Sequence, residues 1–202
     1  MQISASTISD GHHRVTYRGV PMVKCPFDYV MYQMIIGQVK PDLIIEIGTW
    51  HGGNALYLAD LMSLYGIGMV HTIDIADFAP YDLVNNHNRI RRFLSGFEGY
   101  DLSNAERFNN ILVIDDGSHR YIDVLSALRK FKDLVSVNSY YIIEDGVLTE
   151  LGLDNAEYDG GPLRAISEFL EVSDNYLVDP KWLHFFGKNA TFNKDGFLKR
   201  VR

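Results

Sequence analysis

The stretch "IIEIGTWHGG", residues 44–53, is an apolar run that meets an acid, Glu46, and then breaks into glycines. A short continuous apolar run of this kind reads as a strand buried on both faces, as in parallel sheets. Gly48, Gly52 and Gly53 let the backbone turn tightly and approach other groups closely. The residues that follow, "GGNALYLADLMSLYG" (52–66), place Ala55, Leu58, Ala59 and Met62 on one helical face, with Gly66 as the stop. The local order is therefore strand, turn and helix, with a carboxylate near the end of the strand.

Outward from this stretch the same order recurs. "MVHTIDI" (69–75) is the next strand and carries Asp74 near its end. "ILVIDDG" (111–117), "RYIDVLSALRKFKDLV" (120–135) and "SYYIIEDG" (139–146) repeat strand, helix and strand, and "GPLRAISEFLEV" (161–172) adds a helix. Upstream, "PFDYVMYQMIIGQV" sets Tyr29, Tyr32, Ile36 and Val39 at helical spacing with Pro26 near its start. This alternation predicts an α/β fold, a doubly wound and mostly parallel sheet of Rossmann-like type covered on both faces. "NATFNKDGFLKRV" (189–201) has the turn residues Asn193 to Gly196 between two apolar-rich runs, which predicts an antiparallel pair at one sheet edge. The first 25 residues read as a polar, irregular arm carrying His12 and His13, and 26–202 as one domain. Residues 76–110 carry no clear pattern.

A chain of 202 residues with 47% apolar and 22% charged residues can bury one sizeable core. The formal charge of -7, with no run of Lys or Arg, argues against nucleic acid or an anionic membrane as the main partner, and favours a small neutral or cationic substrate. Cys25 stands alone, and the start of the chain lacks a basic-then-apolar leader, so the cytoplasm is the expected compartment. No apolar run approaches the roughly 18 residues of a membrane span.

In doubly wound sheets the ligand sits outside the carboxyl ends of the strands, where strand order reverses, so the acids there are candidates. A dinucleotide site would want glycine near position 50, where Trp50 stands. A phosphate-free nucleoside such as S-adenosylmethionine tolerates the bulkier turn, with Asp74 accepting hydrogen bonds from ribose hydroxyls. The glycines alone fit an ordinary strand-to-helix turn equally well. "VIDDGSH" (113–119) and "IIEDG" (142–146) put four carboxylates, Asp115, Asp116, Glu144 and Asp145, at the tips of two strands expected to be neighbours. Such charges repel unless a cation sits among them, and oxygen ligands suit Mg²⁺, Mn²⁺ or Ca²⁺ better than zinc. His119, on the same loop, is placed to take a proton near neutral pH. Singly, these residues also have plainer readings: Asp115 or Asp116 as a helix cap, His119 as a surface loop residue. The acid-rich 149–161 reads as a solvated loop or as a lid over the site, and Trp182 and Phe185 as core.

The runs "YRGVPMVKCPFDYVMYQMI", "KPDLIIEIGTWHGGNAL", "VIDDGSH", "YYIIEDG", "GGPLRAISEFL" and "TFNKDGFLKRV" together resemble the cephalosporin hydroxylase family, over about Tyr17 to Val201. Its members resemble class I S-adenosylmethionine-dependent methyltransferases and include rhamnosyl O-methyltransferases, and the macrocin-type sugar O-methyltransferases look related. The resemblance implies that Glu46, Gly48 and Asp74 hold the cofactor, with Asp74 on the ribose; Thr49, Gly52 and Asp115 are expected beside them, and the adenine contacts stay open, with Ser95 and Gly96 the mildest candidates. It implies Mg²⁺ (or Mn²⁺) on Asp116, Glu144 and Asp145, His119 as general base, and a sugar or glycoside hydroxyl as acceptor, with a catechol-like diol as second choice. A homo-oligomer is expected. The family name records a hydroxylation, but no two-histidine, one-carboxylate pattern of a non-haem iron oxygenase is found. The rivals are a nicotinamide-dependent oxidoreductase and a cofactor-binding partner subunit without catalysis.

Overall fold

A computed structural model describes residues 4–153, 155–188 and 190–202. In chain order the elements are α1 (Ala5–His12), β1 (Thr16–Tyr17), β2 (Val20–Pro21), α2 (Pro26–Val39), β3 (Leu43–Ile47), α3 (Gly53–Tyr65), β4 (Met69–Ile73), α4 (Asp82–Asn85), β5 (Ile90–Phe93), α5 (Gly96–Gly99), β6 (Ile111–Asp115), α6 (Tyr121–Phe131), β7 (Tyr140–Ile143), α7 (Gly161–Glu171), β8 (Tyr176–Val178), α8 (Pro180–Leu183) and β9 (Phe197–Arg200). The main sheet has the order β5-β4-β3-β6-β7-β9-β8. The first five strands in that order are parallel; β9 runs antiparallel between β7 and β8. From β3 the chain winds outward to β4 and β5, then returns to β6 on the other side of β3. That reversal opens a crevice between the carboxyl ends of β3 and β6.

The period of two along each strand sorts residues onto the two faces. Leu43, Ile45 and Ile47 of β3 pack with Val124, Leu128 and Phe131 of α6 and Phe169 of α7. Ile44 packs instead with Ile35 and Ile36 of α2 and Leu58 and Met62 of α3. β6 and β7 alternate alike, with Val113, Tyr141 and Ile143 on the α6 side and Ile114, Tyr140 and Ile142 on the α2 side. Continued to the strand ends, the alternation sends Glu46 and Glu144 toward the α2–α3 layer and Asp115 toward α6.

The start of the chain differs from the expected irregular arm. Ser4 caps α1 through Thr7 N–H, and β1 and β2 form a short antiparallel ribbon. A Cβ at Gly53 would lie 2.2 Å from the Pro21 carbonyl oxygen, so this ribbon is pressed against the start of α3. Val20, Met22 and Lys24 are buried as a result. Elements this short fall below what periodicity detects.

The antiparallel edge exists, but its partners differ from the expected pair. β9 pairs with β8, Tyr176–Val178, whereas residues 191–193 form no strand; residue 189 lies outside the described residues. The reason is Asp28 of α2, whose carboxylate accepts from the Thr191 hydroxyl and, at 3.0 Å, from Phe192 N–H, drawing that segment to the helix. β5, "IRRF", escaped the sequence reading because two arginines interrupt an edge strand. Trp182 is core, but Phe185, expected with it, is 42% exposed.

Candidate active site

A cavity of about 710 Å³ opens at the carboxyl ends of β3, β4 and β6. Gly48, Thr49, Asp74, Ser95 and Gly96 line one side, and Asp115, Asp116, His119 and Asp145 the other. Glu46, Gly52 and Glu144 stand behind the lining. This volume is of the size that takes a nucleoside-sized ligand with a small second molecule.

The first wall is built from backbone. Gly48 has φ +92°, and a Cβ there would lie 2.0 Å from the Asp116 carbonyl oxygen, so only glycine fits where the two loops touch. Asp74 Oδ2 accepts from Thr49 N–H at 3.0 Å and Trp50 N–H at 2.8 Å, and Oδ1 accepts from Ile75 N–H at 2.7 Å. The turn is thereby tied to the end of β4, with Trp50 held at φ 44° and its indole half-exposed at the cavity. Beneath it, Glu46 Oε1 accepts from Asn54 Nδ2 at 2.7 Å and Oε2 from the Thr72 hydroxyl. Burial pushes the Glu46 carboxyl up to about 7, against those hydrogen bonds and the Lys24 charge. Gly52 caps the start of α3 at φ +83°, and a Cβ there would press on Val84.

The second wall is built from charge. His119 Nε2 lies 3.4 Å from Asp145 Oδ2 and 3.9 Å from Asp116 Oδ1. One donor atom from each of these three residues falls within 4.8 Å of the others: two carboxylate oxygens, of the kind that suit a hard divalent ion, and one imidazole nitrogen. Asp145 and His119 both have positive φ, 56° and 57°, which swings their side chains toward each other from different loops. Asp115 lies deeper. Burial pushes its carboxyl up to about 7 although the His119 charge opposes this, and its buried Oδ2 has no hydrogen-bond partner among the described residues. Glu144 stays apart from the trio, and its carboxylate is engaged by Lys24 Nζ at both oxygens and by the Tyr32 hydroxyl at 2.7 Å. Burial, then Asp116, drive the Glu144 carboxyl well above its usual range, while Lys24 opposes them. Lys24 Nζ also donates to Asp116 Oδ2 at 2.9 Å.

Sequence reasoning missed Lys24. The available signal was a lone lysine among apolar neighbours in "VPMVKCPF", with Asp28 the one acid close by. The segment 149–161, of which residue 154 lies outside the described residues, packs near this wall: Tyr158 O accepts from Tyr121 N–H, and a Cβ on Gly161 would meet His119 O at 3.2 Å.

Sheet order and crevice together define a doubly wound, Rossmann-like α/β fold of the methyltransferase type. The chain belongs to the Rhamnosyl O-methyltransferase/CmcI family, whose model matches residues 11–95 and 100–201. It is 28% identical over 204 residues to the rhamnosyl O-methyltransferase of Mycobacterium tuberculosis (strain ATCC 25618 / H37Rv), covering 93% of this chain and 78% of that protein. The Mycobacterium leprae (strain TN) enzyme of the same name is 27% identical, over 92% of this chain and 82% of its own length. Among solved structures, CmcI with Mg and SAM superposes with TM-score 0.68 at 23% identity, covering 94% of this chain and 78% of that one, which speaks for the fold.

Proposed function

We propose that this protein transfers a methyl group from S-adenosylmethionine to a hydroxyl of a sugar or glycoside, with Mg²⁺ or Mn²⁺ bound at the acidic wall. The observation that carries this reading is one cavity with the backbone-built turn on one side and the Asp116, His119 and Asp145 trio on the other. Family membership supports it, as do relatives named rhamnosyl O-methyltransferases. When bound, the cofactor supplies an electrophilic methyl group, and the divalent ion lowers the pKa of a hydroxyl it touches.

The residues divide the remaining work. Gly48 and Thr49 present backbone to the cofactor's amino-acid end, Asp74 accepts from its ribose, Ser95 and Gly96 flank its base, and Asp115 offers its unpaired oxygen to a cofactor donor. Glu46 and Gly52 act from behind, holding the turn. Asp116 and Asp145 hold the ion, with Glu144 behind them. His119 Nε2 accepts the acceptor hydroxyl's proton, while Asp116 and Asp145 stabilise the imidazolium that forms. The acceptor lies between the walls, so that its oxygen meets the methyl group in line.

The lone buried Cys25 suits a reducing compartment, and we place the reaction in the cytoplasm. No helix is long and apolar enough to cross a membrane among the described residues. The test is methyl transfer from labelled S-adenosylmethionine to a panel of rhamnosides, other glycosides and a catechol, with Mg²⁺ or with chelator. Label should enter glycosides only with the metal. Transfer to the catechol alone would replace the acceptor class, and binding of a nicotinamide dinucleotide in place of S-adenosylmethionine would replace the reaction.

A further inference from the structure

Lys24 is 1% exposed, and its ammonium bridges Asp116 and Glu144. A buried charge is tolerated only when paired and hydrogen-bonded, and here the partners are two acids of the proposed metal wall. The lysine is not free to swing away. The contact of Pro21 with Gly53 fixes the segment that delivers it, and Val23, just before it, holds φ 46°, a costly conformation for a β-branched residue. Asp116, His119 and Asp145 line the cavity, whereas Glu144 stands behind it.

We propose that Lys24 is a built-in cation that takes up part of the place of the metal: it neutralises the inner acids, weakens divalent-ion binding at the outer face, and keeps the wall folded when no ion is bound. This rests on the reading of Asp116 and Asp145 as metal ligands. Lys24 is a positioning residue and does not touch the reacting atoms.

The probe is Mn²⁺, whose binding is counted by electron paramagnetic resonance of the free ion, alongside thermal melts in chelator and in Mg²⁺. Lys24→Met keeps length and apolar stem and removes the charge. It should bind Mn²⁺ at least about tenfold more tightly, a modest effect for a unit charge a few ångströms away. It should also melt lower in chelator and gain more from Mg²⁺ than wild type does. If wild type binds Mn²⁺ and the variant binds it equally or more weakly, the proposal is overturned while the metal reading stands. If wild type binds none and the variant does, the proposal stands and metal dependence of the native protein falls. If neither binds, both fall. Should Lys24→Met fail to fold, the charge-balanced Lys24→Met/Glu144→Gln pair decides: Mn²⁺ affinity near wild type supports the proposal, and a loss of more than about tenfold overturns it, making Lys24 a prop for Asp116.

Discussion

The two walls of the cavity reach their order by different physics. Around Gly48 and Trp50, position is set by backbone: a glycine pressed on a carbonyl and a carboxylate, Asp74, collecting three amide donors. Around Asp116, His119 and Asp145, position is set by like charges held near one another, with Lys24 arriving from a segment distant in sequence. The first wall is ready before any ligand arrives. The second gathers two carboxylates and an imidazole, so in the proposed reading its chemistry depends on ions and protons. Variants should therefore separate: changes in the first wall should act on cofactor affinity and stability, and changes at Asp116, His119 and Asp145 on turnover and metal.

The largest effect is expected at His119. His119→Ala should lose turnover by about 10²–10⁴-fold, the usual worth of general-base assistance, and recover part of it as pH rises. S-adenosylhomocysteine and Mn²⁺ should bind as in wild type. Loss of Mn²⁺ binding would make His119 a ligand in its own right, which its place within the 4.8 Å trio makes a sharp alternative.

Next comes the joint between the walls. Gly48→Ala forces a Cβ to within 2.0 Å of the Asp116 carbonyl oxygen at a backbone angle that alanine avoids. The variant should lose about 2–4 kcal/mol of stability, seen in denaturant melts, and lose cofactor and Mn²⁺ binding together. A stable variant that loses only one of the two would mean that the walls are independent.

Much of this was legible because it is local. The strand, turn and helix of residues 43–66 follow from an apolar run, glycines and a helical stripe, and the carboxylates of "VIDDG" and "IIEDG" fall where parallel strands must end. What was not legible is what crosses the chain. Nothing near Lys24 in sequence announces Glu144, 120 residues later, and β9 chose β8 because Asp28 holds residues 191 and 192 elsewhere. The division among acids needed the alternation of whole strands, which sends Asp115 toward α6 and Glu144 toward α2.

Asp74 tests the first wall with a smaller effect. Asp74→Ala removes acceptors proposed for the ribose and frees the Thr49 and Trp50 amides. A hydrogen bond to a charged group is worth about 1.5–3 kcal/mol, so affinity for S-adenosylhomocysteine should fall by about 10- to 150-fold. Mn²⁺ affinity should be untouched, since no bond links Asp74 to the acidic wall among the described residues. Calorimetry giving unchanged cofactor affinity in a folded variant would take Asp74 out of the site.

The smallest effect is a slope. Glu46 and Asp115 carry carboxyls raised to about 7 from ordinary values of 4.5 and 3.8, chiefly by burial. Between those limits the folded protein holds protons that the unfolded chain has released, so their stabilising contribution is full below about pH 4 and is lost as pH rises through about 7. His71 runs the other way, since burial lowers it to about 4 and the folded state gains as pH rises toward 6.5. The whole protein's melting curve mixes these trends, but Asp115→Asn isolates one of them. Without ligand, wild type should lose melting temperature relative to Asp115→Asn by a few degrees between pH 6 and 7.5, the scale set by about 1 kcal/mol in a domain of this size. The unpaired Oδ2 faces the bound cofactor in this reading, so S-adenosylhomocysteine should shrink the difference by giving that oxygen a donor. Parallel melting temperatures for the two proteins across that range would mean that Asp115 is ionised throughout, and that the second wall holds one more charge than its geometry accounts for.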